Sequence, residues 1–194
     1  MNTLFNIIRK STKAIYRKVD YLYHLYFNYV IKDASYYSDT YYMERFNQIR
    51  ENKNDIIKSY EEKCGYSLNK DWMYDLALIT QVIPGRKNLC CDHGRVLYST
   101  ILKWLKNNPD ITNIKILETG TARGFSSVCM AKALEDSRRN GVIITIDILP
   151  NNQKVYWNCI ADKKGKLKRE ELLIKWEDLL EKYIIFIQGD TQIV

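Results

Sequence analysis

The stretch Ile114–Ser127, with the sequence IKILETGTARGFSS, decides the fold of this chain. Its apolar beginning, Ile114–Leu117, is typical of a short buried strand. Gly120 and Gly124 allow the backbone to turn tightly and to approach a ligand with no Cβ in the way. A helix is expected over Phe125–Arg139, and its first N–H groups are free to bind an anionic group. The stretch therefore predicts a strand, a ligand-binding turn and a helix in direct succession.

Downstream of this unit, strands and helices continue to alternate. The β-branched residues of Gly141–Ile146 predict a second strand, and Asp147 follows at its end. A helix is expected over Leu167–Glu181 and a third strand over Tyr183–Ile187. Elements in this order and at this spacing favour an α/β fold: a Rossmann-like parallel sheet wound with helices through right-handed crossovers.

The residues upstream of the sheet favour helices. Asp92 is a suitable N-cap for a helix that extends to about Lys106. Residues 35–66 are rich in tyrosine and charge, and they favour a helical segment whose tyrosines serve packing rather than base stacking. We therefore expect an N-terminal basic, Tyr-rich helical extension over residues 1–86 and an α/β domain over residues 87–194.

Residues 1–32 have the pattern of an amphipathic basic helix. Apolar and aromatic residues recur at every seventh position, and basic side chains form a separate stripe. Two interpretations stay open for this segment. The helix either packs on the domain or on a second subunit, or it adsorbs as a peripheral element to the anionic inner face of a membrane.

The composition favours one globular domain, or one domain with an appendage. The chain has 194 residues, of which 46% are hydrophobic, and a formal net charge of +7. Two histidines are too few for a His-rich metal cluster, and the five cysteines contain no CxxC pair, so we expect neither a zinc site nor a disulfide framework. No apolar run approaches the ~18–20 residues of a membrane span, and no secretory signal is visible. These features predict a cytoplasmic protein.

The spacing of the glycines distinguishes between kinds of ligand-binding turn. A dinucleotide site of the G-x-G-x-x-G kind is excluded because Ala122 stands at its second glycine, and a P-loop is excluded because no lysine follows Gly124. The pattern that remains, E-x-G-x-x-x-G from Glu118, resembles motif I of class I S-adenosylmethionine-dependent methyltransferases. Together with Asp147 and the run QGDT that ends at Thr191, it extends the resemblance over residues 90–194, nearest to the small-molecule and sugar O-methyltransferase branch.

The resemblance implies S-adenosylmethionine as the cofactor and assigns residues to its parts. The loop that joins the first strand to its helix holds the methionine part of the cofactor, and a serine binds the methionine carboxylate. The acidic side chain after the second strand binds the ribose hydroxyls, and the acidic side chain after the third strand binds the adenine. In that order, the residues are Glu118, Gly120, Thr121, Ala122 and Gly124, then Ser126, then Asp147, then Asp190. The catechol-like members of this branch also bind a divalent metal such as Mg²⁺, but no metal ligand is identified in this chain.

The chain ends shortly after its third predicted strand, whereas the family fold continues with further strands. Two more strand–helix units would need about 60 residues, from the ~30-residue size of a βαβ unit. We therefore expect a chain that is truncated relative to the family, with an open edge at its first strand. Such an edge predicts an oligomer, or a complementing C-terminal segment that is needed for turnover.

The acceptor and the catalytic base are less well specified. His93 is a candidate general base, although the start of a helix is its plainer interpretation. Arg86, Lys87 and Arg95 are candidates to attract an anionic acceptor. The function predicted is methyl transfer to a hydroxyl group of a small molecule or a sugar.

Two other functions stay open. The charge of +7 favours a nucleic-acid methyltransferase, and one basic run adds to it, although we expect that run to be a solvated loop and helix start. The run consists of Lys163, Lys164, Lys166, Lys168 and Arg169. The incomplete fold favours the other alternative, a non-catalytic cofactor-binding scaffold.

Overall fold

The computed structural model describes residues 37–86 and 89–191. In these ranges, helices precede a sheet: α1 (Asp39–Glu51), α2 (Asp55–Cys64), α3 (Lys70–Thr80) and α4 (Asp92–Asn107). The helix expected over residues 1–32 lies outside the described residues. Within them, no helix is both long enough and apolar enough to cross a membrane.

Local sequence fixes where the first three helices begin. Ser38, Asn54 and Asn69 each stand at an N-cap, and each side chain accepts a hydrogen bond from the backbone N–H three residues later. Such a cap satisfies one of the N–H groups that the first helical turn leaves without a partner. Polar residues between the apolar positions therefore set the helix boundaries in this part of the chain.

The sheet consists of parallel strands in the order β1 (Asn113–Thr119), β2 (Asn140–Asp147) and β3 (Ile184–Gln188). The helix α5 (Phe125–Asp136) connects β1 to β2. This arrangement confirms the predicted α/β class, a parallel sheet wound with helices. Because the strands are parallel, their carboxyl ends meet at one edge, which is where open α/β sheets bind ligands.

One face of the sheet packs against helices. The core at this face contains Ile114, Ile143, Leu134 of α5 and Leu105 of α4. Leu117 lies on the opposite face and is 68% exposed, and among the described residues no strand pairs with the outer edge of β1.

The helices α1 to α3 share one core with the sheet domain. Phe46 and Leu76 belong to the same buried cluster as Val128 of α5, and the Trp72 ring meets the Trp176 ring edge-on with centroids 6.4 Å apart. The described residues from Tyr37 onward belong to one compact unit that contains the sheet. A domain boundary between residues 86 and 87 stays a prediction.

The helix predicted over Leu167–Glu181 is interrupted, and that prediction is wrong. The structure has a short helix α6 (Arg169–Leu172), a 3₁₀ turn and a helix α7 (Glu177–Tyr183). At the break, Leu173 has φ −98° and ψ 15°, and it packs so closely on Gly124 that a Cβ there would lie 2.7 Å from its Cδ1 atom. A tertiary contact with the turn between β1 and α5 overrides the helical periodicity.

Candidate cofactor site

The turn between β1 and α5 is built from residues with left-handed backbone conformations. Gly120 has φ +86° and Gly124 has φ +87°, and Ala122 between them has φ 47°. The Gly120 N–H donates to the Ile146 carbonyl at 2.8 Å, which ties the turn to β2. A Cβ at Gly120 would meet nothing within 4 Å, so the turn presents a bare backbone to open space at this position.

Glu118 accepts hydrogen bonds from the described residues through one carboxylate oxygen. Its Oε2 accepts hydrogen bonds from the hydroxyls of Ser127 and Thr145, the latter at 2.6 Å. Its Oε1 accepts no hydrogen bond from the described residues. A carboxylate fixed through one oxygen keeps the other available for a donor on a ligand, without the entropy cost of ordering a mobile side chain.

Asp147, the last residue of β2, accepts hydrogen bonds from the turn after β1 and from the segment that follows β2. Its Oδ2 accepts from the Ala122 N–H at 2.7 Å, and its Oδ1 accepts from the Leu149 N–H at 2.7 Å. Each carboxylate oxygen has lone pairs for a second donor. Asp147 thus orders the turn and retains acceptor capacity at the carboxyl edge of the sheet.

The hydroxyl residues near the turn divide into inward and outward groups. Thr121 is buried, and its hydroxyl shares a 2.6 Å hydrogen bond with that of Thr145, so only its backbone belongs to the turn surface. Ser126 is half-buried in the first turn of α5. Because Gly124 caps this helix without a side-chain hydrogen bond, the N–H groups of the first turn lack a capping side chain. The N-terminus of a helix in this state is suited to an anionic group.

Asp190 lies two residues beyond the end of β3. The preceding Gly189 donates its N–H to the Asp147 carbonyl at 2.9 Å, which holds this segment beside the end of β2. Glu118 is the penultimate residue of β1, Asp147 ends β2 and Asp190 follows β3, so the three carboxylates lie at the carboxyl ends of neighbouring parallel strands. That these three carboxylates belong to one ligand site stays a prediction.

His93 lies beside the start of α5. Its ring is 4.8 Å from the ring of Phe125, the residue that follows Gly124. Partial desolvation and the positive charge of Arg86 lower the pKa of His93, and Asp92 acts in the opposite direction. A neutral imidazole near the turn has the protonation state that a general base needs. A catalytic role for His93 stays a prediction.

Two arginines differ from their sequence interpretation. Arg95 is 8% exposed and forms ion pairs with Glu61 and Asp92, so the prediction that it is free to attract an acceptor is wrong. Arg169 is 1% exposed, so its assignment to a solvated basic run is also wrong. Lys163 of the same run pairs with Asp39 of α1 at 2.7 Å. Lys87 lies outside the described residues.

Several supporting residues are not evident from sequence. Thr145 and Ser127 hold Glu118, and Arg123 donates to the Trp157 carbonyl through Nε at 2.6 Å. A polar residue in the middle of a β-branched strand was the available signal for Thr145. Nothing in the spacing distinguishes Ser127 from its neighbour Ser126, because only the packing of α5 on the sheet decides which one faces Glu118.

Three buried cysteines, Cys91, Cys129 and Cys159, are unsuited to act as nucleophiles. Burial raises the pKa of Cys91 to about 12 and that of Cys159 to about 11, and it raises the pKa of Cys129 well above its ordinary value. These thiols are protonated at neutral pH, and the thiolate is the reactive form. In the described ranges, no cluster of three or more potential ligands can hold a metal ion.

No family model and no curated protein matches the sequence. Among solved structures, the chain is similar to the SAH-bound methyltransferase PaMTH1 from Podospora anserina, with a TM-score of 0.39 and 14% identity over 71% of this chain and 49% of that chain. It is also similar to a cyclopropane-fatty-acyl-phospholipid synthase-like protein from Lactobacillus casei ATCC 334, with a TM-score of 0.31 and 18% identity over 62% of this chain and 38% of that chain. The chain spans about half of the first structure and 38% of the second. At these TM-scores, neither likeness supports an inference about function.

Proposed function

We propose that this chain binds S-adenosylmethionine at the turn Glu118–Gly124 and is a methyltransferase. The observation that carries the proposal is the open backbone of Gly120, flanked by the carboxylates of Glu118 and Asp147. The cofactor offers one group for each feature of this edge. A positively charged amino group suits Glu118, a carboxylate suits the uncapped N-terminus of α5, and the ribose hydroxyls suit Asp147.

The donor set supports this ligand on chemical grounds. Glu118 keeps Oε1 for an ammonium group, and a charge-assisted hydrogen bond there is shorter and stronger than a neutral one. Ser126 adds a hydroxyl beside the helix N–H groups, and Asp190 provides an acceptor for an exocyclic amino group of the adenine. Gly120 supports close approach of the ligand because no Cβ occupies that space.

The bound cofactor supplies an electrophilic methyl group on a sulfonium. The task of the protein is then to align an acceptor with that methyl group, to exclude water and to remove a proton from the acceptor. His93 beside α5 is our candidate to accept that proton. We propose a hydroxyl of a small molecule or a sugar as the acceptor, with no divalent metal assigned.

Methylation of a nucleic acid is the second candidate, and the net charge of +7 favours it. In the structure, the basic run Lys163–Arg169 supports nucleic-acid binding less than its sequence suggests. Lys163 is engaged with Asp39, and Arg169 is buried. RNA binding that weakens steeply with salt would favour this candidate over a small acceptor.

The direct test is titration calorimetry with S-adenosylmethionine and S-adenosylhomocysteine on the parent and on Gly120→Val. We expect the parent to bind and the variant to lose binding, because the side chain enters ligand space at a φ that valine disfavours. Gly65→Val is the matched control. Gly65 also has positive φ and open space around its Cβ position, but it ends α2.

The control separates strain from loss of the site. Gly65→Val should lose stability and still bind. Equal affinity of Gly120→Val and the parent would remove the turn from the site, and a folded parent that binds neither compound would refute the proposed cofactor.

A further inference from the structure

Arg169 is a buried cation whose contacts lie immediately behind the turn. It begins α6 and is 1% exposed. Its guanidinium lies over two aromatic rings, 5.5 Å from the centroid of Trp157 and 5.3 Å from that of Phe186. Burial lowers its pKa to about 10, while Asp147 and Glu118 act in the opposite direction. A charge in such a place is costly unless it is well paired.

The hydrogen-bond partners of Arg169 are neutral groups. Its Nε donates to the Ala122 carbonyl at 3.0 Å, and its Nη1 donates to the Asn151 side-chain oxygen. Its Nη2 is buried and has no hydrogen-bond partner among the described residues. No carboxylate in the described ranges forms an ion pair with it, so the stabilisation expected of a buried salt bridge does not explain its presence.

Ala122 is held from both sides. Its N–H donates to Asp147, and its carbonyl accepts from Arg169. It is also the residue of the turn that has a positive φ without being glycine. Such a conformation persists only where the surrounding structure enforces it, and residues of this kind cluster at ligand sites. The two hydrogen bonds enforce it here.

The connection from β2 to α6 is tied to the turn in both directions. Arg123 of the turn donates to the Trp157 carbonyl of the connection, and Arg169 at the end of the connection donates back to the turn. An antiparallel bridge between Val155 and Leu167 closes the connection on itself. These crossed contacts fix the turn before any ligand arrives, which reduces the entropy cost of binding.

We infer that Arg169 is a positioning residue for the turn Glu118–Gly124 and sets its affinity for the ligand without touching it. The inference rests on the proposed function for the identity of the ligand. The predicted effect of Arg169 on the backbone of the turn is independent of the proposed function. The guanidinium fork is required because one side chain must reach the Ala122 carbonyl and Asn151 together.

The test uses Arg169→Met and Arg169→Lys in the full chain. Methionine keeps the unbranched stem and removes every donor, and lysine keeps the charge but lacks the fork. We expect Arg169→Met to weaken S-adenosylhomocysteine binding by at least tenfold in calorimetry and Arg169→Lys to weaken it less. In the absence of ligand, hydrogen exchange at the Ala122 amide should accelerate in both variants, because the turn is no longer held.

Arg95→Met is the matched control, since it also replaces a buried arginine but lies in the helices away from the turn. It should lower the melting temperature, keep the affinity of the folded fraction and leave the Ala122 amide no less protected than the rest of the sheet. Affinity of Arg169→Met within twofold of the parent, together with unchanged exchange at Ala122, would overturn the inference. If Arg169→Met does not fold, the same two readouts on Arg169→Lys decide it.

The two proposals fail separately. A parent that binds no S-adenosylhomocysteine refutes the proposed cofactor, and hydrogen exchange at Ala122 still decides whether Arg169 holds the turn. A parent that binds, with Arg169 variants that bind equally well and exchange alike, refutes only the positioning role.

Discussion

The helical region around Arg95 and the strand ends near Arg169 differ in the partners that they give to a buried arginine. Arg95 donates to Glu61 and Asp92, and the hydrogen bond with Glu61 is the largest cause of its raised pKa. Arg169 donates to a carbonyl and an amide oxygen, although the carboxylates of Glu118 and Asp147 are near enough to influence its pKa. The helical layer neutralises its buried charge internally. At the strand ends, Arg169 forms no hydrogen bond with the carboxylates, and under the proposed function their oxygens are left for the cofactor.

The largest effect should come from breaking the ion pair in the helical layer. Arg95→Met leaves Glu61, which is 7% exposed, without its cation, and removing one partner of a buried pair costs about 3–5 kcal/mol of the free energy of unfolding. Arg169→Met should cost less, because it leaves no hydrogen-bonded carboxylate without its partner. Urea denaturation of both variants measures the difference, and a larger loss in Arg169→Met would reverse the comparison.

The second prediction concerns the contact between α4, which contains Arg95, and α5, which begins at the turn. Gly94 of α4 lies so close to α5 that an added Cβ would be 2.6 Å from Cε1 of Phe125 and 2.7 Å from Sγ of Cys129. Gly94→Ala should therefore destabilise the fold by roughly 1–3 kcal/mol through overpacking. Denaturation measures the loss, and Ser137→Ala near the other end of α5 serves as a control. An unchanged melting temperature would show that α4 and α5 separate at little cost.

A third effect should appear in binding at the strand ends. Asp147→Ala removes a carboxylate that we assign to the ribose hydroxyls, and the affinity for S-adenosylhomocysteine should fall by roughly 1–3 kcal/mol. Asp136→Ala is the control, because Asp136 accepts a hydrogen bond from Tyr98 at the far end of α5. Calorimetry on variants that are folded by circular dichroism decides the question. Equal affinity would exclude Asp147 from the site.

The smallest effect concerns pH. Desolvation lowers the pKa of His93 below its ordinary 6.5, so between the two values the unfolded chain binds more protons than the folded one. The free energy of unfolding should therefore fall as pH decreases from 6.5 through the folded pKa, and this slope should be shallower in His93→Gln. Denaturation of the parent and the variant across that range isolates the histidine. Parallel curves would mean that His93 has the same pKa in both states.

The α/β class was predictable because strand and helix periodicities are local properties of the sequence. The alternation from Ile114 to Ile187 sets three strands and the helix α5 within a few residues of their observed ends. The interrupted helix was not predictable, since Leu173 leaves helical geometry to pack on Gly124, a residue 49 positions earlier. Local periodicity contains no information about that contact.

The candidate site shows the same division. The strand pattern was sufficient to predict that Glu118, Gly120 and Asp147 lie at the same edge of the sheet, because parallel strands bring their carboxyl ends to one edge. The burial of Arg169 was not, because a basic residue after four lysines has the sequence pattern of a solvated surface. Only the folding of the long connection onto the turn removes it from water.

The sequence by itself determined the parallel α/β sheet, the glycine turn and the three carboxylates at the strand ends. These follow from periodicity, from glycine's access to positive φ and from the direction of the strands. Tertiary structure decided that α1 to α3 complete the core, that Glu118 is held through one oxygen, and that Arg169 lies beneath Ala122. Each of these depends on residues distant in the chain that meet only when the helices and the connection pack on the sheet, and no local pattern encodes such a meeting.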